Sequence, residues 1–140
     1  MKTISAPRHD SRLAAEVRTF CLKAAPQTQT TRSQYPALPL WAAVARTGTA
    51  LWLDTGDIDA AKALWTREFL ALTTNNTLLN KEVQKGIYDE LVPDAAALLR
   101  GVDTAMPDSA LVMEIAFLLN AVHGLKLDRK STRLNSSHRT

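Results

Sequence analysis

Two short apolar runs, Ala50-Leu51-Trp52-Leu53 and Phe69-Leu70-Ala71-Leu72, each stop abruptly in a polar cluster: Asp54-Thr55-Gly56-Asp57 and Thr73-Thr74-Asn75-Asn76. Continuous apolar runs of this length, bounded by turn residues, suit strands covered on both faces of a parallel sheet. Between them Ile58, Ala61, Leu64 and Trp65 share one helical face. Asp57 is placed to cap that helix, and Asp59 stands in its first turn, where the helix dipole favours negative charge. A strand, a short helix and a second strand make a βαβ unit, which is expected to hold its strands parallel with a right-handed crossover.

Helices are expected nearly everywhere else. Leu13, Val17, Phe20 and Cys21 recur at helical spacing within Arg12 to Lys23, and Leu40, Trp41, Val44 and Ala45 do so before a stop at Thr47-Gly48. Pro26 to Pro36 carries two prolines and no apolar period, the composition of a linker or surface loop. Beyond Asn76, Leu78, Leu79 and Val83 line one side of a helix, and Ile87 to Leu91 adds a further turn. Pro93 belongs in the first turn of a new segment with Ala96, Leu98 and Leu99 inward. Pro107-Asp108 opens a strongly periodic helix through Leu111, Ile115, Leu118, Leu119 and Val122, which Gly124 is expected to close. Trp41, Trp52 and Trp65 read as core packing. The fold class is α/β, predominantly helical, with two parallel strands.

The stretch Asp128 to His138, Asp-Arg-Lys-Ser-Thr-Arg-Leu-Asn-Ser-Ser-His, resembles the in-frame translation of a widely used sequencing-library adapter. Residues 128–140 are therefore expected to be an artefactual tail, with the biological chain interrupted near Leu127. Arg129, Lys130, Arg133 and Arg139 against Asp128 alone account for the whole formal net charge of +3. With the basicity confined to the tail, nucleic acid is not an expected partner. One cysteine, Cys21, excludes an intrachain disulfide, and Met1 to Ser5 lack the apolar run of a secretion signal. A bilayer span needs roughly 18 consecutive apolar residues, and the nearest approach, Ala110 to Val122, is interrupted by Glu114 and Asn120. The expectation is a cytoplasmic protein without a membrane partner.

In parallel α/β folds, ligands and catalytic groups gather at the carboxyl edge of the sheet. Asp54 follows the first strand and Thr73, Thr74 and Asn75 the second. Neighbouring strands lie about 4.8 Å apart, so Asp54 and Asn75 are candidates to face one small polar ligand. The competing reading makes both clusters plain turns, one of them with Asp57 as a helix cap.

Leu-Trp-Leu-Asp-Thr-Gly-Asp-Ile, followed about twenty residues on by Leu-Thr-Thr-Asn-Asn, resembles the transaldolase family of class I aldolases. That family's first strand ends in Asp-Thr-Gly/Ser-Asp and its second in Thr-Thr-Asn-Pro-Ser. The likeness is specific over residues 50–80 and looser over 38–127. Asn76 and Thr77 stand where the family usually carries proline and serine, the mark of a divergent branch. The resemblance implies that residues 38–127 begin a (β/α)8 TIM barrel, with residues 1–37 an N-terminal helix and polar linker. It implies transfer of a dihydroxyacetone unit between sugar phosphates, ketose donor to aldose acceptor, through a lysine Schiff base, with no cofactor and no metal. Asp54 would then be the catalytic general acid/base, Asn75 would hold the hydroxyls of the three-carbon unit, and Thr74 would support the turn. Lys62, Lys81, Lys85 and Lys126 fall outside the strands, so the Schiff-base lysine is expected beyond Leu127, and the chain as it stands is expected to be inert. A small, non-catalytic helical binding or regulatory domain is the alternative.

Other polar residues read as structural. His123, beside Gly124, suits a helix C-terminus facing the dipole. His9 and His138, in the leader and the tail, do not combine with it into a metal site. Glu114 reads as a solvated or paired side chain, and Asp89 and Glu90 as a wet face.

Overall fold

The computed structural model describes residues 11–26 and 30–128. His9, His138 and the tail from Arg129 onward lie outside the described residues. In chain order the elements are α1 (Ser11–Ala24), a 3-10 turn (Arg32–Gln34), α2 (Pro39–Arg46), β1 (Leu51–Asp54), α3 (Ile58–Leu64), β2 (Phe69–Thr73), α4 (Asn76–Gln84), α5 (Leu91–Val102) and α6 (Asp108–Asp128). The fold is mostly helical with one small parallel sheet.

β1 and β2 pair in parallel, as their spacing predicts, in the register Leu51↔Phe69, Trp52↔Ala71, Leu53↔Leu72 and Asp54↔Thr73. The register shifts between Leu51 and Trp52, where Leu70 of β2 has no counterpart on β1. Burial on both faces is not what these strands receive. Half-buried and exposed residues alternate along β1, and Trp52 is 63% exposed. The sheet has two strands, and nothing among the described residues covers the outer side of Trp52, so this tryptophan is not a core residue.

The principal core is helical. Cys21 and Ala25 from the α1 end, Leu79 of α4, Tyr88 from the α4–α5 connection, Ala95 of α5, and Leu118, Leu119 and Val122 of α6 form one buried cluster. Val17, Phe20 and Ala24 extend the α1 contribution at the three-and-four spacing that puts side chains on one helical stripe. Pro93 lies in the first turn of α5, where a missing N–H costs nothing. Arg100 closes the next turn by donating to the Met106 carbonyl and the Asp108 carboxylate.

A second, aromatic cluster lies beneath the sheet. Trp65, 2% exposed, stacks on Phe69 with ring centroids 5.5 Å apart, while Tyr35 and Trp41 pack at its ends. The polar stretch read as a linker is a strap from residue 30 onward. Thr31 N–H donates to Gln34 Oε1 at 2.7 Å, the Arg32 Nε donates to the Arg67 carbonyl at 2.6 Å, and the Arg67 N–H donates to the Pro36 carbonyl at 3.0 Å.

α6 does not close at Gly124; it continues to Asp128 and buries Leu127. Glycine there is tolerated because packing on both sides of it holds the helix. An added Cβ would meet nothing within 4 Å. Gly124→Ala is therefore expected to stabilise the protein by about 0.5–1 kcal/mol, the helix-propensity difference between the two residues, read as a raised denaturation midpoint. α6 is also the one helix among the described residues long and apolar enough, by length and composition, to cross a bilayer. The expectation that no such segment exists rested on Glu114 and Asn120. Both prove to be exposed.

Candidate functional site

At the carboxyl edge of the sheet, Asp54 and Thr73 are opposite one another on the last rung of the ladder. The Thr73 hydroxyl donates to Asp54 Oδ1 at 3.0 Å, and the Thr55 N–H donates to the Thr73 carbonyl at 3.0 Å. A parallel pairing brings both strand ends to one rim, so the juxtaposition follows directly from the topology. Asp54, Thr74 and Asn75 are all exposed there.

Asn75 does not leave its whole amide free at this rim. It is the N-cap of α4, and its Oδ1 accepts from the Thr77 and Leu78 N–H groups, each at 3.0 Å. Thr-Thr-Asn-Asn does form a turn with a helix cap. Asp57 behaves as its sequence position suggests: Oδ1 accepts from the Asp59 and Ala60 N–H groups at 2.9 Å, and Oδ2 takes Lys85 Nζ at 2.9 Å. The Ala60 amide and then the Lys85 ammonium hold the Asp57 carboxyl down to a pKa of about 2.

Gly56 is buried in the same turn. A Cβ on it would stand 2.8 Å from Leu78 Cβ and 3.0 Å from the Leu78 carbonyl carbon and oxygen. Because part of that clash is with backbone, Gly56→Ala is expected to cost about 1–3 kcal/mol, the usual penalty for overpacking. Equilibrium unfolding measures it, and an unchanged midpoint would show that the turn shifts freely.

Thr74 lines a shallow hollow with Leu72, Gly124, Leu127 and Asp128, of about 150 Å³. Small-molecule sites usually fall between about 300 and 1,000 Å³, so this hollow is too small for a sugar phosphate. Asp54 and Asn75 are not among its walls. Among the described residues no three His, Cys, Asp or Glu side chains converge as a metal site. The chain was compared with family models, curated proteins and solved structures, and nothing in any of the three matches it.

Of the lysines, Lys85 is bound on both sides, to Asp57 and at 2.7 Å to Glu82, and these two carboxylates raise its pKa. That is the reverse of what an imine-forming amine needs. Lys126, expected to follow the last helix, lies in the last turn of α6, half-buried. Its Nζ stands 4.6 Å from the centroid of the Tyr88 ring, and burial lowers its pKa.

The sequence reading missed the most enclosed polar pair. His123 is 1% exposed, and its Nδ1 lies 2.7 Å from the Tyr88 hydroxyl, itself on a residue 2% exposed. The dipole reading of His123 fails because the helix runs five residues past it. The signal was available: Leu119, His123 and Leu127 continue the i, i+4 series of the buried face.

Proposed function

We propose that this chain is the amino-terminal part of a transaldolase-like (β/α)8 aldolase, which moves a dihydroxyacetone unit from a ketose phosphate to an aldose phosphate. The observation that carries this reading is the parallel rim, where the Asp54 carboxylate meets the hydroxyl of Thr73 one residue ahead of Thr74 and Asn75. In such an enzyme Asp54 takes the proton from the hydroxyl at the bond being broken and returns one to the acceptor's carbonyl oxygen. Thr74 and the amide nitrogen of Asn75 bind the three-carbon unit, while the Asn75 oxygen holds the start of α4. The amine that forms the imine is placed beyond Leu127, as is the rest of a barrel of about 250 residues. The 128–140 segment is proposed to be adapter-derived, the isolated chain inactive, and the intact protein cytoplasmic.

Overlapping genomic DNA tests this directly. The frame should continue past Leu127 into a third strand and then a strand bearing lysine; a natural stop codon at that point sinks the proposal. With the intact protein, borohydride reduction in the presence of a ketose phosphate should trap a covalent adduct on that lysine.

A second reading, a non-catalytic helical binding or regulatory domain, draws on two observations. The main core is built from helices without the sheet, and Asn75 has a sufficient structural role as a cap. A chain of residues 1–127 that unfolds cooperatively as a monomer favours it. Unpaired strand edges in a barrel piece should instead give aggregation or a molten state.

A further inference from the structure

We propose that His123 is an acid-sensitive latch: in its neutral form it holds the α4–α5 connection onto α6 through Tyr88, and protonation weakens that hold. The inference does not depend on the aldolase reading, since it concerns only groups within the described residues.

The proposed neutral form is the tautomer in which the Tyr88 hydroxyl donates to Nδ1. The Tyr88 phenol is pushed up to about 12, mainly by burial, so it keeps its proton at every relevant pH. Donating to His123 Nδ1 at 2.7 Å, it leaves the ring's single proton on Nε2. Nε2 is buried and makes no full hydrogen bond, although the neighbouring Gly56 backbone favours a proton there. The imidazole therefore joins two segments: α6 that carries it and the connection that carries Tyr88. A second proton on Nδ1 would reverse the bond, the phenol oxygen then accepting, and would place a charge on a ring that is 1% exposed, with Nε2 unpartnered.

The charges around the ring do not offset that cost. Burial is the largest influence and lowers the His123 pKa; Glu82 of α4 opposes it, and Lys126 on α6 reinforces it. Glu82 is already paired with Lys85, which also holds Asp57 of the turn. α1 faces this core with Cys21, whose thiol burial pushes upward and out of the acid range. On α5, Asp94 is exposed and Arg100 is engaged with Asp108 at the far end of α6.

The sign follows from linkage. A histidine depressed in the folded state binds its proton more readily when unfolded, so stability is complete above the unfolded value and falls as pH drops below about 6.5. Asp57, at about 2, titrates well outside this window.

The experiment is denaturant unfolding of the full chain from pH 8 to pH 5, for the wild type and for His123→Phe. One extra proton taken up on unfolding raises the wild-type unfolding constant by up to about tenfold per pH unit below 6.5. His123→Phe should flatten that slope. The imidazole titration by NMR is a second readout if the variant does not fold: His123 should titrate below 6.5, and the Asp89 and Leu91 amides of the α4–α5 connection should lose exchange protection as it does. A wild-type slope of zero, the same slope in the variant, or a His123 titration at or above 6.5 would each overturn the latch.

Discussion

Replacing Tyr88 with alanine is expected to lower the unfolding free energy by about 3–5 kcal/mol, the range for removing a large aromatic from a packed core. Tyr88 is 2% exposed and belongs to the cluster formed by α1, α4, α5 and α6. Its loss would open a void that those helices cannot all close at once. It would also strip His123 of its hydroxyl partner and Lys126 of the ring beneath its ammonium. Domains are stable by only about 5–15 kcal/mol, so this one change uses up much of the margin. Tyr88→Phe separates the two contributions: the ring stays, Nδ1 loses its donor, and the cost should be about 1–3 kcal/mol. Denaturation midpoints at constant slope measure both. Equal losses from the two variants would mean that packing contributes nothing at this position, which would contradict the arrangement of the core.

The parts of the fold legible in the residues were those with a local physical signature. Two apolar runs separated by a capped helix point to a parallel pair, and the Leu111 to Val122 period marks the buried stripe of α6. Asp57 announced its cap because a carboxylate just before a helix has N–H groups to accept from. The errors came where the outcome depends on partners distant in sequence. An apolar run looks the same whether its outer face meets a helix or water, so Trp52 could not be told from Trp65. Gly124 has the appearance of a stop, but packing on both sides of it carries α6 onward, and this hid the burial of His123. The strap meets Arg67 through one main-chain bond from its N–H to the Pro36 carbonyl and one from the Arg32 side chain to its carbonyl, pairings that no residue type advertises. At the rim, Asp54 and Asn75 were found at the two strand ends as expected, but Thr73 as Asp54's partner and the capping duty of Asn75 depend on register and on the start of α4. Neither is visible before the strands are paired.

In the intact aldolase proposed here, Asp54→Ala should slow turnover of a ketose phosphate by about 10²- to 10⁴-fold, the usual contribution of a positioned general acid/base. The borohydride-trapped adduct should still form, because imine formation belongs to the lysine. The fold should survive as well. Asp54 is exposed at a strand end and its one side-chain bond goes to Thr73, so a stability change within about 0.5 kcal/mol is expected. Thr73→Val makes the graded control. It leaves the carboxylate in place and removes only the hydroxyl that orients it, so turnover should fall by about tenfold or less, the equivalent of one hydrogen bond of about 0.5–1.5 kcal/mol. Steady-state kinetics with mass spectrometry of the trapped adduct distinguishes the steps. If Asp54→Ala turned over at the wild-type rate, the rim carboxylate would be a turn residue and the acid/base role would be lost. If it abolished adduct formation without slowing a pre-formed imine, Asp54 would instead act in building the imine.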